Sequence, residues 1–328
     1  MSNGADGTRA LDFVTIGETM LRLSAPVGVA LERAERLEVE AAGAESNVAV
    51  DLARLGWRTA WISRLPANPL GRSVASRIRQ HGVDISRVIW VDDDARLGLC
   101  FVESPVPPRR GRVLYDRADS AFARIRPDEV DWAFVSEARF LHLTGITPAL
   151  SAACLELVRR ALGIAARSGV TVSFDLNYRA GLWSPQEAAD QLSELLPSVD
   201  VLIATAADVR TLFGLECSAG EQAQTLAGRF GCEIVAVTDG ADGAVAWHDQ
   251  RRMLSQEPAV EAAVVDRIGR GDAFAAGFLY ALDKGTDAAL RCGVALAALK
   301  QTYRGDFAWA TVEDLDAIVA GDRTEMIR

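Results

Sequence analysis

The sequence predicts an α/β protein whose mostly parallel sheet is covered by helices on both faces, and three observations carry that expectation. Apolar runs of strand length alternate along the chain with helix-period stretches, the order that builds a parallel sheet. Several of the helical stretches carry recognisable ends. The 328 residues, 49% hydrophobic and 24% charged, suffice for a large buried core in one big domain or two smaller ones.

Strand candidates are Phe13–Ile16, Thr59–Ser63, Phe140–Leu143, Val170–Asp175, Val201–Ala204 and Ile234–Thr238. Between them, the helix Ser151–Ser168 stops at Gly169, and Thr225–Phe230 stops at Gly231. Ser184-Pro185-Gln186-Glu187 reads as a capping box with proline at the first helical position. One stretch breaks the alternation. Val88–Val91, Leu97–Glu103 and Val113–Arg117 read as short strands separated by Asp92-Asp93-Asp94 and by the turn-rich segment Pro105–Gly111. Such hairpins form either a lid or a decorative edge. No internal repeat and no low-complexity tract interrupts the chain.

Composition excludes several classes of function. A formal charge of −10 argues against nucleic acid as the main partner, because a polyanion binder needs a basic face, although locally clustered arginines could still hold an anionic small molecule. Met1 to Asp12 is polar and lacks the apolar centre of a signal peptide, and no apolar run approaches the roughly 18 residues that a spanning helix needs. The expectation is a cytoplasmic protein without a membrane partner. Five scattered cysteines, at 100, 154, 217, 232 and 292, read as reduced, buried small hydrophobes. No Cys-x-x-Cys occurs, and His81, His142 and His248 are far apart, so a zinc site has little support.

The most informative segment is Val264-Val265-Asp266-Arg267-Ile268-Gly269-Arg270-Gly271-Asp272-Ala273-Phe274, where an extended run passes through a glycine-flanked turn into a helix. Gly269 and Gly271 permit a tight turn whose amides point one way, and the helix start adds unpaired N–H groups and a positive dipole end. Asp272 then stands beside an anion site, or serves only as a helix cap. Phe274 breaks the dinucleotide-binding fingerprint, and no Gly-x-x-x-x-Gly-Lys-Ser/Thr occurs, so a Walker-type nucleotide site is excluded.

Ala42-Gly43-Ala44-Glu45-Ser46-Asn47-Val48-Ala49-Val50-Asp51-Leu52-Ala53-Arg54-Leu55-Gly56 resembles the amino-terminal signature of ribokinase-type (PfkB) sugar kinases. The segment around Asp272 resembles their carboxy-terminal signature, Asp-Thr-x-Gly-Ala-Gly-Asp. Thr238-Asp239-Gly240-Ala241-Asp242-Gly243 lies between them, where the family has its nucleotide-proximal Thr-x-Gly-x-x-Gly. The match spans roughly Leu11 to Val319. Within the family, Asp175-Leu176-Asn177-Tyr178-Arg179 and Leu143-Thr144-Gly145-Ile146-Thr147-Pro148 are similar to segments of 2-keto-3-deoxygluconate kinases, as are Ile62–Gly71 and Ala298–Phe307.

The resemblance implies a ribokinase-like three-layer sandwich forming one kinase domain over residues 1–328, with a small β lid whose strands lie within 13–40 and 88–117. It implies ATP-dependent phosphorylation of the terminal hydroxyl of 2-keto-3-deoxygluconate, with Asp272 as base and the amides of Gly269, Arg270 and Gly271 as anion hole. Mg2+ would bridge the phosphates mainly through water. Arg117 and Arg179 resemble the family's carboxylate and keto contacts, a task suited to arginine's fork, although each alone reads as a surface arginine. Tyr115 would donate a hydroxyl from the lid, Gly43 would admit substrate close to backbone, and Asn47 would bind sugar hydroxyls. Read alone, Gly43 and Asn47 only start a helix. Thr238, Gly240 and Gly243 would line the nucleotide, with the helix Asp287–Gln301 near adenine. The lid could also pair with its copy in a homo-oligomer, as lids do in relatives.

Three positions depart from the family pattern. Arg270 replaces the alanine between the glycines, Arg267 replaces the usual threonine, and Thr205-Ala206-Ala207-Asp208 stands where many members have Asn-x-x-Glu near the metal's water shell. Asp208 keeps the carboxylate with a shorter reach. If Arg270 points outward the amide hole stays intact; if it folds inward it crowds ATP. The alternatives are therefore a kinase of fructose, ribose or 2-keto-3-deoxygalactonate, or a sugar-acid-binding relative without catalysis.

Overall fold

Along each central strand, neighbouring side chains enter opposite cores, because the pleat sends alternate residues to opposite faces. The computed structural model describes residues 9–92, 94–251 and 253–321. The polar leader up to Thr8 and Asp93 of the acidic turn lie outside the described residues. The strands are β1 (Leu11–Ile16), β2 (Met20–Ser24), β3 (Glu38–Ala42), β4 (Thr59–Ile62), β5 (Arg64–Pro66), β6 (Ile89–Val91) and β7 (Leu99–Glu103), followed by β8 (Arg112–Asp116), β9 (Ala138–Thr144) and β10 (Thr171–Asp175). β11 (Val201–Thr205), β12 (Ile234–Thr238), β13 (Ala244–His248) and β14 (Met253–Glu257) complete the order.

The large sheet runs β14-β13-β12-β11-β10-β9-β1-β4. It is parallel from β12 to β4 and antiparallel at β13 and β14. Val14, Ile16, Leu141, Leu143 and Leu202 face a core closed by helices Ala152–Ser168, Pro185–Leu195 and Ala219–Phe230. Phe13, Trp61, Phe140 and Ile203 face the other core, under helices Ala44–Arg54, Arg270–Tyr280 and Thr286–Gln301. This is the expected three-layer ribokinase-like sandwich.

The helix ends follow their local chemistry. Ser151 accepts from the Cys154 amide, Ser184 and Glu187 form the expected box, and Gly169 and Gly231 close their helices in the left-handed region. Helix Ala219–Phe230 begins six residues before the expected Thr225, because Ser218 and Glu221 form a second capping box. The sequence reading also missed β13 and β14, the antiparallel edge.

A four-stranded sheet, β3-β2-β7-β8, stands apart from the large one. One expectation for this region is corrected: β6, within the expected Val88–Val91, pairs in parallel with β5 and not with the small sheet. A second correction concerns Val264–Ile268, which joins no strand; Val264 and Val265 are about half exposed, at 49% and 51%. Its position is held instead by the Val265 and Asp266 amides, which donate to the Gln301 carbonyl.

All five cysteines are free thiols, four buried and Cys217 half-buried. Burial pushes Cys100, Cys154 and Cys232 up to about 12. Among the described residues, no helix is long and apolar enough to cross a membrane.

Candidate active site

Parallel strands all expose their carboxyl ends on one edge of a sheet, where the chain turns into loops and helix starts, and clefts form there. A cavity of about 410 Å³ opens at that edge, bounded on its far side by the small sheet. Glu18 follows β1, Asp175 ends β10, Thr205 ends β11 and Thr238 ends β12, and all four line the cavity.

Every site residue singled out from the sequence lies in this wall. Gly269, Arg270, Gly271 and Asp272 form one end, with Thr238, Gly240 and Gly243 nearby. Asp208, Arg179, Gly43, Asn47, Tyr115 and Arg117 extend the wall towards the small sheet. Arg267 lines the wall as well.

Gly269 is the residue before helix Arg270–Tyr280 and has φ 85°, in the left-handed region. A Cβ there would also lie 2.0 Å from the Asp306 carbonyl oxygen, so only glycine fits. Asp272 is therefore inside the first helical turn and does not cap it. Its carboxylate accepts from Asn47 Nδ2 at 2.6 Å. Burial raises the Asp272 pKa to about 7, with Asp306 and Glu45 adding to the rise and the Asn47 hydrogen bond and Arg179 opposing it. Asp175 is pushed up to about 8, first by burial and then by Asp272 and Asp208, against the pull of Arg179. Asp208, half-buried, is also raised by burial; its amide donates to Thr205 Oγ1 at 3.0 Å as the helix Ala206–Phe213 begins.

The arginines differ from one another. Arg179 is exposed at the mouth, and its Nη1 donates to the Tyr178 carbonyl. Arg117 is buried, and its Nε and Nη2 both donate to Glu18 Oε2, the first at 2.8 Å. The sequence reading did not anticipate that pairing. Glu18 Oε1 is buried and has no hydrogen-bond partner among the described residues. The Arg117 guanidinium lies 5.8 Å from the exposed ring of Tyr115. Arg270 is half-buried, and no hydrogen bond or ion pair engages its guanidinium among the described residues.

Four buried carboxylates of the wall escaped the sequence reading: Glu18, Asp175, Glu45 and Asp306. Glu45 Oε1 accepts from Thr144 Oγ1 at 2.8 Å and Thr147 Oγ1 at 2.6 Å, and burial raises its pKa despite both bonds. Glu45 and Asp175 lie inside the very motifs that carried the resemblance. Asp175 ends a strand and Glu45 sits in the first turn of helix Ala44–Arg54, so no single local position marked these carboxylates.

The profile of the pfkB family carbohydrate kinases matches residues 10–310. The chain belongs to this family. It is therefore a phosphotransferase that acts on an alcohol group of a carbohydrate and uses ATP. Among PfkB relatives, it is 46% identical over 312 residues to a 2-dehydro-3-deoxygalactonokinase of Haloferax volcanii, covering 94% of this chain and 97% of that one. It is 34% identical to a 2-dehydro-3-deoxygluconokinase of Thermoproteus tenax, with 93% of each chain covered. A solved 2-dehydro-3-deoxygluconokinase of Thermotoga maritima has the same fold, with a TM-score of 0.88 at 31% identity, covering 95% of this chain and 100% of that one.

Proposed function

We propose that this PfkB kinase transfers the γ-phosphoryl group of ATP to the terminal hydroxyl of a 2-keto-3-deoxy sugar acid, 2-keto-3-deoxygluconate being the first candidate. The observation that carries the reading is Asp272: a buried carboxylate with a pKa near 7, hydrogen-bonded to Asn47, at the start of a helix whose preceding turn is glycine-flanked. A general base works best when its pKa lies near the working pH. Asp272 takes the proton of the substrate hydroxyl as that oxygen attacks phosphorus. The amides of Gly269 and Gly271 serve the charge that spreads over the transferring group, whereas the Arg270 amide, expected to join them, already donates to the Arg267 carbonyl at 3.3 Å. Thr238, Gly240 and Gly243 border the nucleotide end.

The sugar acid's carboxylate needs cations. Arg179 at the mouth supplies one without first breaking an ion pair, whereas Arg117 reaches substrate only while sharing its charge with Glu18. Glu18, Tyr115, Gly43 and Asn47 complete that end. Among the described residues no three His, Cys, Asp or Glu side chains gather into a metal site. Asp208, a carboxylate on the cavity wall, would hold Mg2+ through water, and the ion would there neutralise phosphate charge.

A second reading, 2-keto-3-deoxygalactonate as substrate, is favoured by the Haloferax volcanii relative. The two sugar acids differ at one hydroxyl. ADP release measured with both sugar acids, fructose and ribose tests the proposal. The sugar acids should exceed the neutral sugars in kcat/KM by about 10- to 100-fold, less than a fully buried charge partner commands, because Arg179 is exposed. Equal efficiency with fructose would remove the sugar-acid reading, and the ratio between the epimers assigns the substrate.

A further inference from the structure

A buried charge cluster with no role so far joins the small sheet to the turn before helix Arg270–Tyr280. Arg22, on β2, is 2% exposed. Its Nη1 donates to Asp306 Oδ1 at 2.7 Å, Nη2 to Asp266 Oδ2 at 2.6 Å and Nε to Ser24 Oγ at 2.9 Å. Burial works against the guanidinium's charge, but Asp306 and Asp266 override it and hold the pKa above its ordinary value. Desolvation offsets much of what such a buried pair contributes to stability, so stability alone does not account for it.

What the two aspartates hold gives the reason. Asp266 Oδ1 accepts from the Ile268 amide at 3.0 Å, its Oδ2 also accepts from the Gly305 amide at 3.2 Å, and its backbone carbonyl accepts from the buried Lys300 Nζ at 3.0 Å. Asp306 supplies the carbonyl packed against Gly269, where a Cβ would lie at 2.0 Å. One guanidinium therefore ties down both the segment that leads into the Gly269 turn and the segment that supports it. That guanidinium belongs to the sheet that carries Tyr115.

We infer that Arg22, at the edge of the cavity wall, is a positioning residue, which fixes the Gly269–Asp272 turn relative to the small sheet through Asp266 and Asp306. The geometry of phosphoryl transfer then depends on where the sheet sits. A fork that reaches two carboxylates on separate segments is a task lysine's single ammonium cannot reproduce. The inference rests on the reading of Asp272 and its turn as the transfer site.

The test compares Arg22→Lys and Arg22→Gln with the wild-type chain, using the sugar acid that wild type turns over best and recording kcat, both KM values and the melting temperature. In folded Arg22→Lys, kcat should fall about 10- to 100-fold, the scale of a displacement of about 1 Å at a reacting centre, while KM for ATP and for sugar changes less than about threefold. Arg22→Gln should fall further; if it does not fold, Arg22→Lys decides alone. A folded Arg22→Lys with kcat within about twofold of wild type overturns the inference, and so does a loss found in KM instead of kcat. Asp272→Asn run in parallel separates the two readings. If Asp272→Asn also keeps its turnover, the proposed site fails; if it is inactive while Arg22→Lys is not impaired, only the role of Arg22 fails.

Discussion

The two ends of the cavity are made from different material. At the phosphoryl end the chain shapes its backbone: Gly240, Gly243 and Gly269 all have φ between 59° and 90°, and Gly271 leaves open space where a side chain would stand. At the proposed sugar end it places side chains, with Glu18, Arg117, Glu45 and Asn47 all buried and contributed by three segments of chain, Glu45 and Asn47 sharing one helix. A backbone site recognises what every ATP shares, whereas a side-chain site distinguishes one sugar from another. The first tolerates little change in sequence spacing, and the second tolerates little change in residue identity.

That contrast is broken most sharply at Asp272, the side chain on which the backbone end depends. Asp272→Asn should lower kcat about 10²- to 10⁴-fold, the usual range for a general base, while ADP binding followed by calorimetry stays near wild type. Wild-type kcat/KM should fall as pH drops below about 7, since protonated Asp272 cannot accept the hydroxyl proton. A flat acid limb down to pH 5 would remove the base role.

A smaller effect is expected at the sugar end. Arg179→Ala should raise the sugar-acid KM about 10- to 100-fold, less than a fully buried charge partner commands, because Arg179 is exposed. The KM for ATP should stay within about twofold, and steady-state kinetics with each substrate varied in turn reads both. Equal losses for the two substrates would erase the division between the ends.

The smallest effect lies between them, at Asp175. Its folded pKa, about 8, exceeds the ordinary carboxylate value, so the folded chain holds this proton more tightly than the unfolded one. Its stabilising contribution is complete below about pH 4 and is lost progressively up to about pH 8. Asp175→Asn should therefore melt above wild type by a margin that grows from pH 5 to pH 8. A margin independent of pH would show that Asp175 ionises without cost in the fold.

Much of this molecule was legible in the sequence. The central strands from Phe13 to Thr238 lie where continuous apolar runs predicted them, because strands buried on both faces have few alternatives. The glycine turn before Asp272 was legible for a related reason: a left-handed residue packed against a carbonyl admits only glycine, and it leaves a mark in the sequence. The rest depended on contacts between distant residues. Glu18 meets Arg117 across 99 positions, and Arg22 meets Asp306 across 284. No local pattern records either pairing. β14 was missed because its polar, partly exposed residues lack the apolar run of the interior, whereas β13 carries such a run, Ala244–Trp247, buried throughout but set directly behind a glycine turn. Val264-Val265 misled because an apolar pair can be extended without belonging to a sheet.

The cysteines give the chain an internal clock. Thiolate, and not thiol, reacts with alkylating reagents, and burial keeps Cys100, Cys154 and Cys232 almost wholly protonated at neutral pH. Alkylation of the folded protein therefore starts at Cys217, and each later adduct counts an opening event of the structure around it. Cys100 is the informative one, since it lies on β7 in the cavity wall. Its labelling rate would report how often the structure around this part of the cavity wall opens, and a bound sugar should slow that rate with no engineered probe in the chain.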